Sequence, residues 1–200
     1  MIKFGTGGWR AIIADEFTKE NIRLVVAGLC KLMLLEGHAG KEICVGYDRR
    51  FLSKESAHWA AEVLAGYGFH VFVVARSSPT PLIMFTVKQM QTPYGLAVTA
   101  SHNPKEYNGY KVYWADGAQL PPQHADAVAK KMGEIDIFDG IKRLPYEEAV
   151  KQGFVTIMGE ETDEKFLAKA PEDVIQRERD NMAKAQKEIQ QLESSLADLG

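Results

Sequence analysis

Residues 94–114 read Tyr94-Gly95-Leu96-Ala97-Val98-Thr99-Ala100-Ser101-His102-Asn103-Pro104-Lys105-Glu106-Tyr107-Asn108-Gly109-Tyr110-Lys111-Val112-Tyr113-Trp114. The apolar run from Tyr94 to Ala100 predicts a strand, so Ser101 falls where a strand gives way to a loop. Pro104 has no N–H to offer a sheet ladder. Asn108-Gly109 is a turn signal, and Tyr110 to Trp114 predicts an aromatic-rich returning strand. A hydroxyl is therefore presented on a loop, with His102, Lys105 and Lys111 close in sequence. Reactive groups tend to lie on loops held by a rigid sheet. On local pattern alone, Ser-His-Asn-Pro reads first as an ordinary polar turn, with Ser101 bonded to its own backbone.

Working outward, strand-like and helix-like runs alternate. Thr18 with Asn21 opens a helix carrying Ile22, Val25, Val26, Leu29, Leu32 and Met33 at the helical period. Ile43 to Tyr47 predicts a strand, followed by Asp48-Arg49-Arg50, an acid–base turn that supports structure rather than chemistry. Ser53 is the expected cap of the next helix. His70 to Ala75 has the continuous apolarity of a buried strand. A helix from about Leu82 to Met90 precedes the central strand, and another runs over about 123–132. A short helix near 146–151 and a last strand at 155–158 follow. This alternation predicts an α/β layered domain. The hairpin signal makes its sheet mixed, lying between helices.

The block Thr99-Ala100-Ser101-His102-Asn103-Pro104, followed by Tyr107-Asn108-Gly109-Tyr110-Lys111, resembles the active-site loop of the alpha-D-phosphohexomutases. That family includes phosphoglucomutase and phosphomannomutase. A second block, Phe4-Gly5-Thr6-Gly7-Gly8-Trp9-Arg10, resembles the family's N-terminal signature, and Gly46, Asp48 and Arg50 match its Gly-x-Asp-x-Arg run. The resemblance implies an isomerase of carbohydrate metabolism, moving a phosphoryl group between the 1- and 6-oxygens of a hexose phosphate. Ser101 is then the phosphorylated catalytic residue, with Lys111 handling a proton or orienting phosphate and His102 as a polar partner. Arg10, Thr6, Gly7 and Asn103 are the implied phosphate- and substrate-binding residues. Mg²⁺ is the implied metal, bound through the phosphate on Ser101, and a hexose 1,6-bisphosphate the implied activator. The family's Asp-x-Asp-x-Asp-Arg metal segment and its sugar-recognition loop do not occur in this sequence. The expectation is therefore a chain that carries the serine but does not turn over alone.

From Pro171 onward the pattern changes. Ile175, Met182, Ile189 and Leu196 recur every seven residues, with Glu178, Ala185, Leu192 and Leu199 three positions on. The segment resembles the coiled-coil arm of valyl-tRNA synthetases. The expected organisation is a phosphoserine domain at 1–168 and a heptad-patterned helical appendage at 169–200, with self-association through 171–199. An interaction module built on that tail is the competing reading. A serine hydrolase is disfavoured, because there is no Gly-x-Ser-x-Gly elbow.

The 200 residues are 46% hydrophobic and 26% charged, ordinary globular composition. The net charge of −3 argues against a general nucleic-acid binder for the globular part. Cys30 and Cys44 lack metal-ligand spacing and suit buried thiols in a reducing compartment. No run reaches the length of a membrane span, and the start lacks a signal-peptide core. The expectation is a cytoplasmic protein.

Overall fold

A computed structural model describes residues 2, 7–136, 140–159 and 176. The chain divides into two units, Met1–Thr162 and Asp163–Gly200. Thr6 and the heptad tail, apart from Gln176, lie outside the described residues.

The first unit runs β1 (Trp9–Ile12), α1 (Lys19–Leu35), β2 (Glu42–Tyr47), α2 (Ser53–Gly66), β3 (His70–Val74), α3 (Thr80–Met90), β4 (Tyr94–Val98), β5 (Tyr107–Trp114), α4 (Pro122–Gly133), α5 (Tyr146–Lys151) and β6 (Val155–Met158). The strands form one sheet in the order β1-β5-β4-β2-β3-β6. Neighbours β4, β2, β3 and β6 run parallel, whereas β5 is antiparallel to both β4 and β1. The mixed sheet between helices is thus as expected. No helix among the described residues is long and apolar enough to cross a membrane.

The main core lies between the sheet and α1, α2, α4 and α5; Val26, Leu29, Leu64, Val128 and Ala149 pack there with Val45 and Val98. On the opposite face, where α3 is the one helix among the described residues, Ile83 and Val87 pack against Cys44, Ala97 and Tyr113. The helix can lie close because the sheet is small beneath it. A Cβ on Gly46 would stand 2.4 Å from Ile83, and one on Gly95 2.1 Å from Val87.

Local signals account for several boundaries. Thr18 caps α1, its hydroxyl accepting from the Asn21 N–H at 3.3 Å. Pro81 and Pro122 sit in the first turns of α3 and α4, where a missing N–H costs nothing. Residues 9–12, read only as part of a glycine-rich block, form the edge strand β1.

Two expectations are corrected. Asn108-Gly109 is not a turn. Both residues lie inside β5, opposite Ala11 and Arg10 of β1. Gly109 is required by crowding, since a Cβ there would lie 2.2 Å from the Trp9 carbonyl oxygen. The reversal is made earlier, at Ser101–Glu106. Nor is Ser53 a helix cap: Leu52, at φ 60°, precedes the helix, and Ser53 is its first residue. The Ser53 hydroxyl is committed instead to Asp48 Oδ1, at 2.8 Å.

Candidate active site

From β2 the chain passes to β3 through α2 on one face, and from β3 back to β4 through α3 on the other. Strand β4 in turn leads directly into β5 on its other side, so the loops leaving the adjacent strands β2 and β4 diverge. Crevices at such carboxyl strand ends are where open α/β sheets bind ligands. Here the crevice is an open groove of about 960 Å³, lined by Asp48, Arg49, Arg50 and Phe51 after β2, by Ser101, Asn103, Lys105 and Glu106 after β4, and by Ile12 and Ile13 at the end of β1.

Ser101 is exposed at this groove with φ 58°. An L-residue avoids that left-handed conformation unless its surroundings impose it. Two bonds fold the turn: the Ser101 N–H donates to Thr99 Oγ1 at 3.0 Å, and the Asn103 N–H to the Ala100 carbonyl at 3.1 Å. His102 Nδ1 lies 3.5 Å from Ser101 Oγ, at the outer limit of a hydrogen bond.

Arg50 supplies the outside support. Its Nη1 donates to the carbonyls of Pro104 at 2.8 Å and Tyr107 at 2.9 Å. Its Nη2 donates to those of Ser101 at 2.9 Å and Asn103 at 2.6 Å. Asp48 orients the fork: Oδ2 faces Arg50 Nε at 3.5 Å, while Oδ1 accepts from the Arg50 N–H at 2.9 Å. Asp48 and Arg50 thus act on the loop itself. The order Asp48-Arg49-Arg50 after a strand pointed to a support, but not to what it supports.

Lys111 and Arg10 form a second group. Lys111 lies opposite Ala97, on the face that α3 covers. Arg10 lies opposite Gly109, which pairs in turn with Thr99. Directly opposed residues point to one side of a sheet, so Arg10, Lys111 and the strand leading to Ser101 share a face. Lys111 is buried, and burial, with the nearby Arg10 charge adding to it, lowers its pKa from the usual lysine value. Arg10 Nε is buried without a hydrogen-bond partner among the described residues. Gly7, at φ 79°, is buried just before β1. Sequence reasoning missed Arg49, Phe51 and Ile12 as groove walls; the one signal was a large aromatic residue directly after the Asp-Arg-Arg turn. Phe51 is 71% exposed.

Among the described residues no three His, Cys, Asp or Glu side chains group so as to hold a metal. In the groove Asp48 is committed to Arg50 and Ser53, and Glu106 stands among Arg49, Arg50 and Lys105. A hard cation such as Mg²⁺ wants several oxygen ligands, so this donor set does not fit one by itself.

Comparison with known proteins agrees with this geometry. The family described as "Phosphoglucomutase/phosphomannomutase, alpha/beta/alpha domain I" matches residues 1–137. Residues 162–200 match the valyl tRNA synthetase tRNA binding arm. A phosphoglucomutase of Staphylococcus haemolyticus is 35% identical over 140 residues, which are 67% of this chain and 25% of that protein. One from Staphylococcus aureus MRSA252 is 38% identical over 133 residues, 66% of this chain and 23% of its own length. The chain thus spans about a quarter of these relatives. A crystal structure from Thermus thermophilus, of a protein assigned as a phosphomannomutase, superposes with a TM-score of 0.64 at 34% identity, covering 71% of this chain and 32% of that one. The fold, the serine loop at the strand-end crevice and the match over most of the chain agree: this protein belongs to the phosphoglucomutase/phosphomannomutase family, through its alpha/beta/alpha domain I.

Proposed function

We propose that this chain carries the phosphoserine of a phosphohexomutase at Ser101, on a domain spanning residues 1–168, with residues 169–200 as a separate helical appendage. The observation that carries the reading is Ser101 itself: an exposed hydroxyl in a left-handed backbone conformation, at the crevice where the β2 and β4 loops part. In the reaction the bond between Ser101 Oγ and phosphorus breaks as a sugar hydroxyl oxygen bonds to that phosphorus. The hydroxyl's proton needs an acceptor. Lys111 suits that role because its lowered pKa makes the neutral amine more accessible. Arg10 supplies a permanent, planar charge for phosphate oxygens. His102 and Asn103 follow the serine, Gly7 lies just before β1, and Thr6 is its neighbour in sequence. Phosphoryl transfer depends mostly on positioning and on neutralising equatorial oxygen charge. In the family Mg²⁺ supplies part of that charge. Turnover also needs the bisphosphate to be turned between its two transfers, and the family's sugar-recognition loop does not occur in this sequence, so the chain reads as able to accept one phosphate from a bisphosphate but incomplete for turnover.

The test is the intact mass of the purified chain after exposure to glucose 1,6-bisphosphate with Mg²⁺. One phosphate should appear on Ser101, and none in Ser101→Ala. Net conversion of glucose 1-phosphate should stay at background. A Ser101 that never accepts phosphate would overturn the reading, while robust turnover would overturn its incompleteness. For the appendage, sedimentation of the full chain against a chain ending at residue 168 should show self-association only in the former.

A further inference from the structure

We infer that Arg50 is a positioning residue for the Ser101 loop: by drawing three loop carbonyls and that of Tyr107, which opens β5, to one guanidinium, it holds the serine in its left-handed conformation and turns the loop's acceptor oxygens away from the incoming phosphate. The inference deepens the reading of Ser101 as the phosphoserine and rests on it for its catalytic consequence, though not for its structural one.

An arginine fork presents five N–H donors in a fixed plane. Arg50 spends the donors of both terminal nitrogens on backbone oxygens of residues 101, 103, 104 and 107, at 2.6–2.9 Å. A charged donor to a carbonyl is among the stronger hydrogen bonds, and here four act on one short segment. The side chain is only 15% exposed, and Asp48 faces its Nε edge.

The chemical consequence follows from the trans peptide unit, in which the carbonyl of one residue and the N–H of the next point opposite ways. With the Ser101 and Pro104 carbonyls on Arg50, the N–H groups of His102 and Lys105 point away from it. Neither donates to another backbone group among the described residues. An acceptor oxygen near a dianionic phosphate would repel it, whereas an outward N–H attracts it. Arg50 thereby sets the polarity of the surface on which Ser101 sits without touching the reacting atoms.

The experiment compares the full chain with Arg50→Ala and Arg50→Lys, the latter keeping the charge opposite Asp48 but not the fork. Two readouts are taken. The first is hydrogen–deuterium exchange of the peptide covering residues 101–107, with the exchange of α1 and α2 as internal reference. The second is the rate at which glucose 1,6-bisphosphate with Mg²⁺ places phosphate on Ser101. In both variants exchange should rise at least tenfold in the loop and stay unchanged in the helices. Phosphate loading should slow by about 10–100-fold, the usual consequence of displacing a reacting group by about an ångström. Millimolar ethylguanidinium should restore both readouts in Arg50→Ala, whereas ethylammonium should not. Loop exchange that stays at the wild-type level in both variants would overturn the inference. So would loading that survives a loosened loop. If the wild-type chain takes no phosphate, the phosphoserine reading fails, and the exchange data still decide whether Arg50 holds the loop.

Discussion

The side-chain amide of Asn108 donates to Ser53 Oγ at 2.9 Å, deep beneath the candidate site. Asn108 is fully buried in β5, and Ser53 opens α2. The same amide donates to the Phe51 carbonyl at 3.0 Å, and the Ser53 hydroxyl donates a hydrogen bond to Asp48 Oδ1 at 2.8 Å. A relay thus runs from the middle of the sheet through Ser53 to Asp48, and from Asp48 to Arg50 and the Ser101 loop.

Cutting that relay at its buried end should cost stability. Asn108→Ala leaves the buried Gly109 N–H without its acceptor and the half-buried Phe51 carbonyl without its side-chain donor, while the Ser53 hydroxyl keeps its bond to Asp48. At about 1–3 kcal/mol for a buried group left unpaired, the Gly109 N–H alone should cost the domain roughly 1–3 kcal/mol. Urea denaturation would show the loss as a lower midpoint with an unchanged slope. A midpoint within about 0.5 kcal/mol of wild type would mean that water replaces the amide and the relay is dispensable.

Gly109 offers a separate handle on β1. Its hypothetical Cβ lies 2.2 Å from the Trp9 carbonyl oxygen and 3.0 Å from the Arg10 Cα. Backbone on both sides cannot yield as a flexible side chain would. Gly109→Ala should push β1 off the sheet edge at a cost of about 1–3 kcal/mol and carry Arg10 with it. Trp9 is 1% exposed in the native fold, so its emission should shift to the red, a change that disappears when Trp9→Phe is added. An unshifted spectrum would show that β1 stays docked.

How much of this could be read in advance depended on the range of the forces involved. Thr18 was legible as a cap because capping is settled within four residues. The helix at Tyr146–Lys151 and the strand at Val155–Met158 were legible because periodicity and short apolar runs are local too. Asn108-Gly109 misled because its dipeptide preference for turns was overruled by burial between β1 and β4, a tertiary constraint. Ser53 misled for a similar reason: its hydroxyl had a better partner in Asp48 than the helix end could offer. The fork of Arg50 was beyond reach, since its acceptors lie 51 to 57 residues away in sequence. The serine itself stood out by its neighbours, while its left-handed backbone emerged only with the loop in three dimensions.

Lys111 should show the cost of a buried charge. Burial and the Arg10 charge lower its pKa, so the unfolded chain holds this proton to higher pH than the fold does. Stability therefore rises with pH between the lowered folded value and the ordinary lysine value of about 10.4. Below that interval the fold bears the whole penalty. Lys111→Met should accordingly stabilise the domain at neutral pH by about 0.5–2 kcal/mol and flatten the rise on the alkaline side. It should also leave phosphoryl transfer from Ser101 to a sugar hydroxyl without its proton acceptor. Urea midpoints at pH 7 and pH 10 decide the first part; a variant less stable than wild type at pH 7 would show that the ammonium is well solvated or well paired.

Ser101 should trade stability against reactivity. Its φ of 58° belongs to a region that costs an ordinary L-residue roughly 1–2 kcal/mol and glycine almost nothing. Ser101→Gly relieves that strain but loosens the unfolded chain, a counter-effect of about 0.4–1 kcal/mol. Ser101→Ala keeps the Cβ and relieves nothing. The glycine variant should therefore be more stable than the alanine variant by about 0.5–1 kcal/mol, although neither can accept phosphate. Comparing these two variants cancels the loss of the hydroxyl and isolates the backbone term. Equal melting temperatures would mean that the left-handed turn relaxes once the serine is gone, so that the hydroxyl and its 3.5 Å contact with His102, rather than Arg50 and the surrounding fold, impose it.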